Sequence, residues 1–233
     1  MFDFTTPITK DTYLKAKWSC PPAAPTSLTE LKQALDAGKE IAIGTEIPDE
    51  WNGESSPLIV VQNLNSANSS SYGGAEGVIL QRKNLSSTAV VFNSPASGYY
   101  GGSTIESYLQ NDYYALCSDE LRSVVSSFQV PWFTGGAISY ATNTFFLPSG
   151  IEVGFTRNAG EGIFWDYWKG RTGLEYGNDG TNPGRVLGQN VWLRSKGNYE
   201  SDAGMVNTTG SISPSISTIN AEYILPACFI AKS

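Results

Sequence analysis

Glu161, Asp166, Glu175 and Asp179 are the residues whose type and spacing come nearest to chemistry in this chain. Paired carboxylates cut glycosidic bonds when they stand ~5–10 Å apart and one keeps its proton at neutral pH. Glu161 or Asp166 with Glu175 or Asp179 would supply such a pair, but any acid-rich loop holds pairs at this spacing. The groups that support other chemistries are missing. There is no histidine, which removes the commonest general base and the commonest metal ligand together. Cys20, Cys117 and Cys228 lie far apart and match no metal-ligand spacing. Cys117 and Cys228 fall in apolar segments, where a thiol is inert. No nucleophile elbow, P-loop or dinucleotide fingerprint occurs. NDGTN (178–182) and NYESD (198–202) offer oxygen ligands without the spacing of an EF-hand loop, so no calcium and no cofactor is assigned. The chain reads as a non-enzyme.

The same stretch suits binding better. Trp165, Tyr167, Trp168, Tyr176 and Tyr199 are interleaved with Asp166, Asn178, Asp179, Asn198, Glu200 and Asp202. Rigid aromatic anchors with small polar partners are the composition of an adaptable binding surface. Aromatic faces with Asn and Asp beside them also fit a sugar ring, apolar on its C–H faces and rimmed by hydroxyls. These residues form the candidate ligand-binding set. The neighbouring VWLRS (191–195) reads instead as framework: Val191 and Leu193 point to the core, and Trp192 and Arg194 share the other face as a stacked cation–π pair.

These residues must be positioned by a mixed scaffold. LTELKQALDAG places Leu28, Leu31 and Leu35 on one helical face, with Ser27 and Glu30 as a capping box and Gly38 as its stop. The pattern predicts strands at IAIGTEI, PLIVVQNL, GVILQRK and STAVVF. STIESYLQNDYYALCSDELRSVVSSF carries two helices that break near Ser118. Short strands follow at TFFLPSG, IEVGF, NVWLRS, AGMVN, SISP and EYILPACFIAK. Residues 156–190 carry little secondary-structure signal, and a loop of that length tends to be functional. The expectation is an α+β domain: a mixed, mostly antiparallel sheet with two or three helices and long loops.

With a net charge of −7 and its basic residues scattered, the chain is a poor partner for nucleic acid or anionic lipid. No apolar run is long enough to span a bilayer, and MFDFTTPITK lacks the features of a signal peptide, so direct membrane insertion is not expected.

FFLPSGIEVGF, the Glu-Gly of EGIFWDYW, VWLRS and the AEYILPACFI terminus, taken in order, resemble DUF6273, a family of unknown function in bacterial and phage proteins. The resemblance covers roughly residues 28–232, with ILPACF where the family more often has an arginine before the proline. FDFTTPITKDTYLKAKW, over residues 1–18, resembles the closing strands of a Listeria–Bacteroides (internalin B-type) repeat, an extracellular spacer. Residues 19–27 then form a Pro-rich linker, and 28–233 the recognition domain. The order of elements is similar to the C-type-lectin-like fold. These resemblances imply the outside of a bacterial cell or a phage virion. They imply adhesion or receptor binding through a cell-surface glycan or protein. The Asn, Tyr, Ser and Asp content of residues 164–202 also suits a protein diversified by a retroelement. The alternative is a structural decoration protein with no soluble ligand, in which the aromatic loop packs on a neighbouring subunit.

Overall fold

A computed structural model describes residues 23–155, 160–174 and 180–233. The arm over residues 1–18 and the linker as far as residue 22 lie outside the described residues. The architecture is α+β, as the patterning predicts. Its centre is a five-stranded antiparallel sheet in the spatial order Glu46–Ile47, Leu58–Leu64, Gly77–Arg82, Ala227–Ala231 and Phe145–Phe146. The three long strands are buried along nearly their whole length, which is why they appear in the sequence as unbroken apolar runs. The last strand of the chain thus lies inside the sheet rather than at its edge.

The first helix spans Leu28–Asp36 and buries Leu28, Leu31 and Leu35. The Ser27 hydroxyl accepts from the Glu30 N–H (3.2 Å), while the Glu30 carboxylate reaches past Ser27 to the Thr26 N–H and hydroxyl. A second helix, Thr104–Tyr108, runs into a π-helical turn at Leu109–Tyr113. The next, Asp119–Val124, is capped by Ser118, whose hydroxyl accepts from the Leu121 N–H (3.0 Å). The break therefore falls where the spacing predicts it.

A second sheet joins Val191–Lys196, Asp202–Val206 and Ile212–Ser217. Three elements depart from expectation. IEVGF is not a strand: Ile151–Val153 form a 3-10 turn closed by Gly154 at φ 95°. Phe128–Phe133 and Ile138–Asn143 make a hairpin that no strong alternation announces. The stretch 156–190, read as loop, contains the helix Asp166–Thr172. That helix is short, has no side-chain cap and buries only Trp168.

Candidate functional site

The guanidinium of Arg194 is fully buried, and each of its five N–H groups meets an acceptor. Nε donates to Pro131 O (2.8 Å), Nη1 to Leu147 O (2.7 Å) and Glu152 Oε2 (2.5 Å), and Nη2 to Glu152 Oε1 (2.6 Å) and Glu161 O (2.5 Å). Glu152 is equally buried and is satisfied in turn by the Ser149 N–H (2.7 Å) and the Tyr72 hydroxyl (2.7 Å). Arg194 lies 5.6 Å from the centroid of the Phe146 ring. Its stacking partner is therefore Phe146 and not Trp192, whose indole sits edge-on to Phe92 and donates to Val90 O (2.9 Å).

A second carboxylate, Glu161, completes this hub. Its Oε1 accepts from the Phe133 N–H (2.9 Å) and its Oε2 from the Ser195 hydroxyl, while Ser195 Oγ accepts from the Gly150 N–H (2.8 Å). Burial pushes the Glu161 carboxyl up to about 7, against the opposing pull of Arg194, Ser195 and the Phe133 N–H. Gly162 follows at φ 121°, where an added Cβ would lie 2.5 Å from Glu152 Oε1 and 2.6 Å from the Tyr72 hydroxyl oxygen. Gly162→Ala is accordingly expected to destabilise the fold by about 2 kcal/mol in a urea titration.

The stretches LPSGIEVG, EG and VWLRS thus meet at one buried ion pair. Residues 75–232 match the family described as a domain of unknown function, DUF6273. The chain belongs to that family. No curated protein and no solved structure matches it. In this DUF6273 chain these stretches build the interior: Ser149, Glu152, Glu161, Arg194 and Ser195 are each at most 2 % exposed.

The candidate binding residues separate into buried and exposed sets. Trp165 is fully buried, and its indole N–H donates to the Tyr72 hydroxyl (3.1 Å). Trp168, 2 % exposed, donates to Gln81 Oε1 (3.2 Å). Asp202, 8 % exposed, opens the strand Asp202–Val206, and its carboxylate accepts from the adjacent Ser201 hydroxyl (3.0 Å). The two tryptophans are core, because each indole finds its polar partner in the interior, and Asp202 is covered at the start of its strand; the three correct the expectation of a ligand-facing surface. Tyr167 is half-buried against Trp168, and its hydroxyl accepts from Arg171 (3.0 Å). Asp166 is exposed but paired with Lys169 (2.8 Å), and its N–H donates to Gln62 Oε1 (2.9 Å). Asn198, Tyr199 and Glu200 are exposed. Tyr176, Asn178 and Asp179, and with them Glu175, lie outside the described residues. Of the carboxylates considered for a catalytic pair, Glu161 is sealed in the hub and Asp166 is held by its own helix.

The exposed set has neighbours that spacing alone does not bring together. Tyr199, 69 % exposed, sits in the turn after Lys196, and its carbonyl accepts from Lys196 Nζ (3.3 Å). That ammonium lies 5.6 Å from the Tyr99 ring centroid, and Tyr99 stands edge-on to Trp132 at 6.2 Å. The Gly98 N–H donates to Glu200 O (2.6 Å), tying the 94–102 loop to the same turn. A Cβ at Gly101 would overlap the Trp132 indole, so this glycine lets the loop close over the ring. Three segments distant in sequence therefore bring Tyr99, Trp132 and Lys196 together, with the exposed Tyr199 in the turn that follows Lys196. Tyr99 and Trp132 each stand beside glycine pairs, in SGYYGG and PWFTGG, and that juxtaposition is the sequence signal that marks them.

Proposed function

We propose that the chain is a non-catalytic ligand-recognition domain, an adhesin or receptor-binding module of a bacterial surface or phage protein, whose ligand is a glycan or a protein. The observation that carries this reading is the half-exposed Tyr99–Trp132 pair with Lys196 and Tyr199 beside it. Aromatic rings held rigid by neighbouring backbone, with a cation alongside, are what binding hot spots are made of. The acid–base alternative is weakened because Glu161, whose carboxyl burial pushes up to about 7, is enclosed and fully engaged. The decoration alternative relied on Trp165 and Trp168 packing against a neighbouring subunit, and both are covered by their own chain. The proposal retains the C-type-lectin-like analogy and a tether through the repeat-like residues 1–18.

A glycan-array and whole-cell binding screen tests it, with the wild type beside Trp132→Ala and Tyr199→Ala. Loss of a central aromatic anchor is expected to cost about 2 kcal/mol, roughly a thirtyfold loss of affinity. Tyr199→Ala should leave the melting temperature unchanged, since its ring is exposed. Folded variants that bind as tightly as the wild type would remove the cluster from the site. Absence of binding by the wild type on every surface would remove the recognition reading itself.

A further inference from the structure

A groove of about 810 Å3 opens on the other flank of the 94–102 loop, between residues 88–97 and residues 102–112. Much of its wall is rigid because its polar side chains are already engaged. Asn93 Oδ1 accepts from the Thr104 N–H (3.1 Å) and hydroxyl (3.3 Å), and its Nδ2 donates to Ser97 O (3.2 Å). Ser103 caps its helix by accepting from the Glu106 N–H (3.1 Å).

The π-helical turn Leu109–Tyr113 supplies one side. Its other side is pinned to the sheet, where Gln110 donates to Phe145 O (2.5 Å) and accepts from the Thr144 N–H (2.8 Å). Tyr108 and Asp112 then line the groove. Such turns disrupt a helix at some cost and occur disproportionately where side chains are aimed at a ligand.

Four polar groups on the lining have no hydrogen-bond partner among the described residues and face solvent across the groove: the hydroxyls of the exposed Thr88 and Ser94 and of the partly buried Tyr108, and the carboxylate of the exposed Asp112. Among the described residues no lysine or arginine lines the groove, so an anion would meet one carboxylate and no counter-charge there. An apolar ligand would strip water from the same four groups without replacing it. A neutral sugar satisfies both constraints. Its vicinal hydroxyls can donate to a carboxylate, its remaining hydroxyls can exchange hydrogen bonds with Ser and Thr, and its C–H face can lie on a tyrosine ring. We propose that this groove is a separate site for a neutral oligosaccharide of two or three residues, recognised by Tyr108, Asp112, Ser94 and Thr88. The volume is large enough for a ligand of that size to lie along the open groove. This inference goes beyond the aromatic cluster and does not depend on it.

The test is an NMR titration of the isotopically labelled full chain with chitotriose, maltotriose, cellotriose, laminaritriose and mannotriose. Sialyllactose serves as an anionic probe and choline as a cationic one. Saturable shifts confined to the amides of residues 94–97 and 104–112, with at least one neutral trisaccharide, are expected. Asp112→Asn and Tyr108→Ala should each weaken that binding at least tenfold, whereas Tyr199→Ala should leave it unchanged. Asp112 is exposed, so Asp112→Asn reports on the site without a folding defect. The proposal is overturned if no neutral trisaccharide gives saturable shifts, or if a folded Asp112→Asn protein binds like the wild type. Tighter binding of sialyllactose or choline would overturn it as well. Loss of binding in Tyr199→Ala alone would assign the sugar to the aromatic cluster instead.

Discussion

Arg194→Met is expected to lower the folding stability by about 3–5 kcal/mol. The reason is what the substitution leaves behind. Glu152 keeps a charge in an interior where neither it nor Arg194 touches water, and the carbonyls of Pro131, Leu147 and Glu161 lose their donor. A typical domain holds only ~5–15 kcal/mol in total, so the variant should be marginally folded at 25 °C. Arg194→Lys is no remedy, since an ammonium has three donors for the five acceptors and lacks the planar fork that meets the carboxylate and the three carbonyls together. Arg194→Met/Glu152→Gln should recover part of the loss. It removes the stranded charge and leaves an amide oxygen for the Ser149 N–H or the Tyr72 hydroxyl. Urea titration of the wild type, both single variants and the double variant closes a cycle whose coupling energy isolates the pair. A loss under about 1 kcal/mol in Arg194→Met would mean that the hub does not organise the fold.

The sequence patterning makes the scaffold legible where burial has a period. Leu28, Leu31 and Leu35 at helical spacing, and the two-sided runs LIVVQNL and GVILQR, appear in the structure as they read. Periodicity is silent where polar contacts decide the conformation. IEVGF has strand composition, yet Glu152 must turn its carboxylate to Arg194, and the 3-10 turn does that. Trp165 and Trp168 show the same limit from the other side. Interleaved with Asp, Tyr and Lys they look like a binding surface, but an indole N–H can be satisfied inside a core by Tyr72 or Gln81, and nothing local in the sequence distinguishes the two fates. Arg194 was legible as framework from the lack of any catalytic companion, while its partner was not, because Glu152 lies in a separate segment. The surface cluster is the least legible part. Tyr99, Trp132 and Tyr199 become neighbours only once the hairpin and the 94–102 loop close on the turn after Lys196.

Glu161→Gln is expected to remove a pH dependence worth on the order of 3 kcal/mol. The Glu161 carboxyl titrates near 7 in the folded protein and near its ordinary value of 4.5 when unfolded. Between those values the folded chain holds a proton that the unfolded chain has released. The favourable contribution is therefore complete below about pH 4.5 and declines as the pH rises, until it is lost above 7. The charged and titratable groups around it are Arg194 and Glu152; the hairpin contributes the Phe133 N–H and the strand the Ser195 hydroxyl. A glutamine fits the same geometry in the neutral form at every pH. Its carbonyl can accept from the Phe133 N–H, and its amide can donate to the free lone pair of Ser195 Oγ, which already accepts from Gly150. Urea midpoints for wild type and Glu161→Gln at pH 5, 6, 7 and 8 give the difference curve, in which the other carboxylates cancel. The variant should gain on the wild type steadily from pH 5 to pH 8. A difference that stays flat across this range would show that Glu161 keeps the same charge throughout, its ionised form then being stabilised by Arg194 and Ser195 despite the burial. Because Glu161 holds the Phe133 N–H, one residue from Trp132, its protonation state also bears on the hairpin that presents the aromatic face.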